Sequence, residues 1–260
     1  MAVFECSFYS KAINISTGMN VIIPEDDFDR DYPTLYLLHG YTDNYTAWMR
    51  WTAIELYARE YKLAVVMPDV HKSFYSDFPG MRDGYKYWTF ISDELIQVSR
   101  RFFRLSRKRE DTFVAGLSMG GFGAFKCALN RPDIFSSAAS LSGALDPVND
   151  LKKNIDKKET EMITGDLNQI KGSVNDLFAA AEKTSKLPEF SQISQVSQKP
   201  KLYQYCGTED FLYDGNVKFR DFVKNLGYDY TYEESPGDHQ WKYWDKYIKK
   251  YIDSLNLERV

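Results

Sequence analysis

An α/β fold with a mostly parallel central sheet is predicted by two observations on the 260-residue chain. Short β-rich runs alternate with helical patterns along its length. Two of those runs, Pro33–Leu38 and Leu63–Met67, are continuously apolar and read as buried strands. A third observation bears on organisation: there is no internal repeat, low-complexity tract or linker. The whole chain, 1–260, therefore reads as a single domain.

In order, Val3–Ile23 reads as two or three strands with a turn near Thr17-Gly18. Pro33–Leu38 ends at His39-Gly40, and Thr46 is placed to cap a helix running to about Tyr61. Leu63–Met67 is closed by Pro68-Asp69. A loop rich in aromatics and glycine, His71–Tyr87, leads into a helix from Thr89 to Leu105. Its residues Ile91, Leu95, Val98, Phe102 and Leu105 repeat every three or four positions and form one apolar stripe. Thr112–Leu117 is a strand, Gly121–Asn130 a helix stopped before Arg131-Pro132, and Ile134–Ser142 a strand. The stretch 146–198 is polar, rich in Lys and Asp and weakly periodic; it reads as a small helical cap inserted over the sheet. Within it Ser173 or Asn175 is a candidate cap for a helix over Asp176–Lys183. Lys201–Tyr205 resumes the sheet, Asp214–Leu226 is a helix ending at Gly227, Tyr228–Glu233 is the last strand, and Gln240–Leu255 the last helix.

Composition narrows the function. The charge sum is −4 and charged residues make up 27%, so no basic footprint for nucleic acid or an anionic membrane is present. Three distant cysteines, Cys6, Cys127 and Cys206, suggest neither a disulfide framework nor a zinc ribbon. The N-terminus shows no secretory pattern and no run approaches a membrane span, so a reduced cytoplasm is the default expectation. Aromatics, at 16%, are the outlier.

The sharpest chemical signal is Gly116-Leu117-Ser118-Met119-Gly120. The pentapeptide alone is common, but here an apolar strand precedes it and a helix rich in small residues follows. That is the context in which a serine is held on a tight strand-to-helix turn as a nucleophile. A serine hydroxyl needs a base to take its proton. Of the three histidines, His39, His71 and His239, only His239 lies downstream of Ser118, as the order Ser…Asp/Glu…His requires. The orienting carboxylate is expected after the strand Lys201–Tyr205, where Asp210 is the choice and Glu209 the reserve. Asp238 ranks last because it adjoins His239. Oxyanion donors are expected from the backbone N–H of Met119 and of Tyr41, and no chemistry is assigned to His39.

These residues make the chain resemble an α/β-hydrolase of the branch that holds esterase D, S-formylglutathione hydrolases, bacterial tributyrin esterases, and feruloyl and acetyl-xylan esterases. The likeness runs from Pro33 to Trp244. It is carried by Leu37-Leu38-His39-Gly40, Ala115–Gly121, Ser140–Ala144, Cys206–Tyr213 and Gly237–Trp241. The phrase Asn44–Trp48 adds a likeness to tributyrin esterases. The resemblance implies Ser118, Asp210 and His239 as the catalytic triad, no metal or other cofactor, a small-molecule ester as substrate, and allows a homo-oligomer. One departure stands out: His39-Gly40-Tyr41-Thr42-Asp43 replaces the cysteine-containing turn of S-formylglutathione hydrolases, which weighs against a glutathione thioester.

The expected activity is that of a serine carboxylesterase for short-chain acyl esters, through an acyl-enzyme. Feruloyl or acetyl-xylan ester hydrolysis is the alternative; S-formylglutathione hydrolysis and acyl transfer rank lower. A non-catalytic binding protein would require a missing triad member, and none is missing. Trp48, Tyr87 and Trp241 are candidate substrate-binding residues, with packing as the competing role for any aromatic. The cluster Arg100-Arg101…Arg104…Arg107-Lys108-Arg109 reads as a solvated helix end, and Asp69 with His71 is too few ligands for a metal.

Overall fold

Continuously buried runs form the central strands of the sheet, and partly exposed runs its edges. In the computed structural model, which describes residues 1–25, 30–79, 84–187 and 198–259, eight strands form one sheet. They are β1 (Ala2–Ser10), β2 (Ile15–Ile23), β3 (Thr34–Leu38), β4 (Ala64–Pro68), β5 (Thr112–Leu117), β6 (Ser137–Leu141), β7 (Lys201–Gly207) and β8 (Tyr230–Ser235), in the order β1-β2-β4-β3-β5-β6-β7-β8. β1 with β2 and β2 with β4 pair antiparallel; every other pair is parallel. Every residue of β3, β4, β5 and β6 is buried, as a parallel sheet covered on both faces requires.

The helices are α1 (Ala47–Trp51), α2 (Ile54–Arg59), α3 (Tyr87–Thr89), α4 (Leu95–Phe102), α5 (Met119–Asn130), α6 (Pro147–Asn154), α7 (Lys157–Thr164), α8 (Leu177–Ser185), α9 (Tyr213–Val223) and α10 (Trp241–Ser254); a π-turn at Phe90–Glu94 joins α3 to α4. Trp48, Ile54, Ala58, Tyr247 and Ile248 place α1, α2 and α10 on one face with Leu35, Leu37 and Ala115. Leu95, Phe122, Phe125 and Phe219 place α4, α5 and α9 on the other with Tyr36, Leu38 and Val114. Strand order reverses at β3, which lies between β4 and β5, and the crevice at such a point, beyond the carboxyl ends of the strands, is where ligands bind in open α/β sheets.

Several boundaries differ from the sequence reading for local reasons. Thr17 and Gly18 lie inside β2, opposite Phe8 and Ser7. The reversal comes at 11–14 instead, where Asn14 takes φ +56°. The helix expected after Thr46 breaks into two, because Ala53 N–H leaves the helix to donate to Asp245 Oδ1 at 3.1 Å. The Thr46 hydroxyl donates to Asn44 Oδ1 and caps nothing. Within 146–198 Asp176, and neither Ser173 nor Asn175, is the cap of α8, accepting from Phe178 and Ala179 N–H. Residues 80–83 of the aromatic loop and 188–197 of the stretch expected to form a cap lie outside the described residues.

α5 is buried along almost its whole length and carries a fully buried lysine, Lys126. Its Nζ donates to Tyr75 O at 2.7 Å and Asn175 Oδ1 at 2.5 Å, and lies 4.6 Å from the Trp88 ring centre. It thereby ties α5 to the aromatic loop and to Asn175. Burial pulls its pKa down to about 7. The unfolded chain binds this proton more tightly, so the contribution of Lys126 to stability falls as pH drops from about 10.4 to 7. Urea unfolding of the wild type and Lys126→Met across pH 7–10 is expected to show the wild type gaining on the variant by up to about 1.4 kcal/mol per pH unit. A pH-independent difference would contradict this.

Candidate active site

Ser118 stands at the carboxyl end of β5, immediately before α5, with φ +54° and ψ −120°. A non-glycine residue held there is strained, and the surroundings must fix it. Its N–H donates to Leu141 O at 2.9 Å, and its carbonyl accepts from Gly121 N–H at 3.0 Å and Phe122 N–H at 3.1 Å. The flanking glycines permit close approach. A Cβ on Gly116 would lie 2.3 Å from Gly120 O, and one on Gly120 would lie 2.4 Å from Leu38 O. The motif thus reflects β5, α5 and β3 touching backbone to backbone.

β3 delivers His39-Gly40-Tyr41 beside this turn. His39 is buried, its Nδ1–H donating to Gly40 O at 2.7 Å while Nε2 accepts from Val70 N–H at 3.1 Å. Burial lowers its pKa, which favours the neutral tautomer those two bonds demand. Tyr75 OH donates to His39 O at 2.9 Å, bracing the same turn. A Cβ on Gly40 would lie 2.7 Å from a Leu117 methyl and 3.7 Å from Ser118 Cβ, so the loop lies directly against the serine. Met119 opens α5, where an amide has no intrahelical acceptor. Tyr41 N–H likewise has no hydrogen-bond partner among the described residues.

β7 and β8 bring the remaining pair. Asp210 follows β7 with its side chain fully buried, and its Oδ2 and Oδ1 lie 2.8 and 3.1 Å from His239 Nδ1. Oδ1 also accepts from Leu212 N–H at 2.9 Å, which fixes the carboxylate. Glu209 is turned away: it accepts from Gly237 N–H and from the Thr208 hydroxyl, and the first of these holds its pKa down. It clamps the loop that carries His239. Asp238 accepts from the Gln240 side chain. The imidazole of His239 is sandwiched by Phe211, 4.4 Å between ring centres, and Trp244, 4.8 Å edge-on.

Ser118, His239, Tyr41 and Trp241 line one cavity of about 470 Å³, together with Phe211 and Trp244. Two expected substrate-binding residues lie elsewhere. Trp48 is 1% exposed, donates its indole N–H to Leu38 O at 3.0 Å and packs behind Trp241. It supports the wall without forming it. Tyr87 lines a separate hollow of about 280 Å³ with Phe78, Tyr85 and His71. The aromatic loop therefore serves mainly its own cluster, Phe74 excepted, which does reach the main cavity. Sequence reasoning missed Phe211 and Trp244, although both sit beside residues it named. It also missed Asp150, which reaches the cavity from α6.

Residues 10–251 match the family model described as Putative esterase. An acetyl esterase from Caldicellulosiruptor saccharolyticus is 34% identical over 264 residues, covering 95% of this chain and 96% of the relative. The substrate-bound structure of FphF, a fluorophosphonate-binding serine hydrolase of Staphylococcus aureus, aligns with TM-score 0.87 and 36% identity over 98% of both chains. The apoenzyme of the S. aureus S-formylglutathione hydrolase FrmB aligns with TM-score 0.84 and 36% identity, again over 98% of both. Among the described residues no helix is long and apolar enough to cross a membrane. The chain has the α/β-hydrolase fold and belongs to the Putative esterase family, as a carboxylic ester hydrolase.

Proposed function

We propose that the chain is a serine carboxylesterase for short-chain acyl esters, with Ser118 as nucleophile, His239 as base and Asp210 as the acid that orients it. The observation that carries this reading is His239, held by the buried Asp210 carboxylate and lining the same cavity as a serine on a strained turn. His239 takes the Ser118 proton through Nε2 as Oγ attacks the ester carbonyl, while Asp210 fixes the tautomer by accepting from Nδ1–H. The oxyanion forms against the Tyr41 and Met119 amides. His239 returns the proton to the departing alcohol, and water then cleaves the acyl-enzyme by the same route. None of these steps calls on a cofactor. The name of the acetyl esterase relative favours a small acyl group.

The test is kcat/KM on p-nitrophenyl acetate, butyrate and octanoate beside methyl ferulate. Acetate or butyrate is expected to exceed octanoate and ferulate by at least about tenfold. Preference for ferulate would establish the plant-wall alternative instead. Likeness to FrmB supports a second reading, hydrolysis of a formyl thioester, despite the departure at His39–Asp43. S-formylglutathione turned over faster than every oxygen ester would select it.

A further inference from the structure

α6 projects two polar residues one turn apart, Asp150 and Asn154, into the cavity that holds Ser118 and His239. Asp150 is 7% exposed. Its Oδ2 accepts from Asp146 N–H at 3.0 Å, while its Oδ1 has no hydrogen-bond partner among the described residues. Among the described residues no cation pairs with it: the nearby Lys218 gives its ammonium to Asp146 Oδ2 at 2.6 Å. Gly215, in the first turn of α9, packs so closely that an added Cβ would lie 3.2 Å from each carboxyl oxygen. The group is thus wedged in place with one oxygen left over. Burial pushes it up to about 7; the Asp146 amide and the positive charges of Lys153 and Lys218 act against that rise, and the Asp146 carboxylate adds to it.

An apolar residue would be cheaper at such a site, since a buried carboxyl without a cation costs stability. The neighbouring wall is apolar, formed by Ala144, Ile155, Leu212, Trp241 and Trp244. Asn154 commits its Nδ2 to Asp150 O at 2.9 Å, leaving its carbonyl oxygen as an acceptor. The cavity, about 470 Å³, exceeds what an acetyl or butyryl group fills, so part of it houses the alcohol.

We propose that Asp150, with Asn154 beside it, determines specificity for the alcohol half of the ester by accepting a hydrogen bond from a hydroxyl on the leaving group. The proposal rests on the Ser118 esterase reading. The chain then prefers esters of hydroxyl-bearing alcohols to alkyl esters of equal length, because a plain alkyl chain leaves the buried acceptors unpaired. Asp150 exchanges no proton with the substrate in any step.

The experiment measures kcat/KM for 2,3-dihydroxypropyl acetate and propyl acetate in the wild type, Asp150→Leu and Asp150→Asn. p-Nitrophenyl acetate serves as a probe of basal turnover. The wild type is expected to favour the dihydroxy ester by about tenfold or more. Asp150→Leu should bring the ratio near one. Asp150→Asn, which can keep the Asp146 contact while turning its NH₂ into the cavity, should lower it several-fold and covers the case in which the leucine variant does not fold. A purely structural role would change both rates together and leave the ratio intact. A wild-type ratio near one, or a ratio unchanged in Asp150→Asn, overturns the proposal while p-nitrophenyl acetate is still hydrolysed. Absence of turnover on any ester overturns the esterase reading and this proposal with it.

Discussion

Replacing Ser118 by alanine is expected to lower kcat/KM on p-nitrophenyl acetate by about 10⁴-fold or more. The size follows from the role: without Oγ no acyl-enzyme forms, and only the oxyanion donors and substrate binding remain. Stability should change by less than about 0.5 kcal/mol. The reason is that the turn is held by its backbone, through Ser118 N–H to Leu141 O and the bonds that Gly121 and Phe122 donate to Ser118 O. Unaltered urea unfolding with lost turnover is therefore the expected combination. Activity within a few-fold of wild type would remove Ser118 from the chemistry.

Asp210→Asn is expected to cost about 10⁴-fold in kcat. Asparagine keeps the shape and can still accept from Leu212 N–H, but it then turns an NH₂ toward His239 and favours the tautomer whose Nε2 cannot take the serine proton. Glu209→Gln is the matched comparison. Because Glu209 faces Gly237 and Thr208 and not the imidazole, its variant should lose no more than a few-fold, through a looser His239 loop. Near-normal rates in Asp210→Asn with collapse in Glu209→Gln would transfer the orienting role to the neighbour.

Features of the site are legible in the sequence where one residue type is forced by backbone geometry or by elimination. Gly116 and Gly120 announce the elbow because any Cβ there meets backbone atoms. His239 could be named because it alone among three histidines follows Ser118. Asp210 and Glu209 were separable only as first choice and reserve, since adjacent carboxylates differ in direction, and direction is set by the turn that sends Leu212 N–H to Asp210 Oδ1.

The aromatic assignments fared less evenly for a related reason. Trp48, Tyr87 and Trp241 are equivalent as residue types, yet α1 buries the first behind the third, and the left-handed turns at His71, Phe74, Tyr75 and Tyr85 carry the second into its own hollow. Whether an aromatic ring packs a core or walls a pocket depends on tertiary neighbours that periodicity does not encode. Asp150 was invisible for the opposite reason. In a polar, Lys- and Asp-rich stretch one more aspartate is unremarked, and it acquires meaning only when α6 turns it inward against Gly215. The strand pattern was read nearly to the residue at β5, where burial on both faces leaves a continuous apolar run. It was misread at the β1–β2 turn, where Gly18 makes room for the Tyr45 ring and does not mark a reversal.

Covalent capture tests most directly whether Ser118 Oγ is the atom that carries the acyl group. The protein is treated with a dialkyl p-nitrophenyl phosphate, and its intact mass, its peptide masses and its residual esterase activity are followed together. A single phosphoryl adduct on the peptide containing Ser118, accumulating in step with loss of activity and absent from both Ser118→Ala and His239→Ala, is the predicted result. Inactivation with the adduct on another residue, or full esterase turnover in a protein whose Ser118 is quantitatively modified, would contradict it.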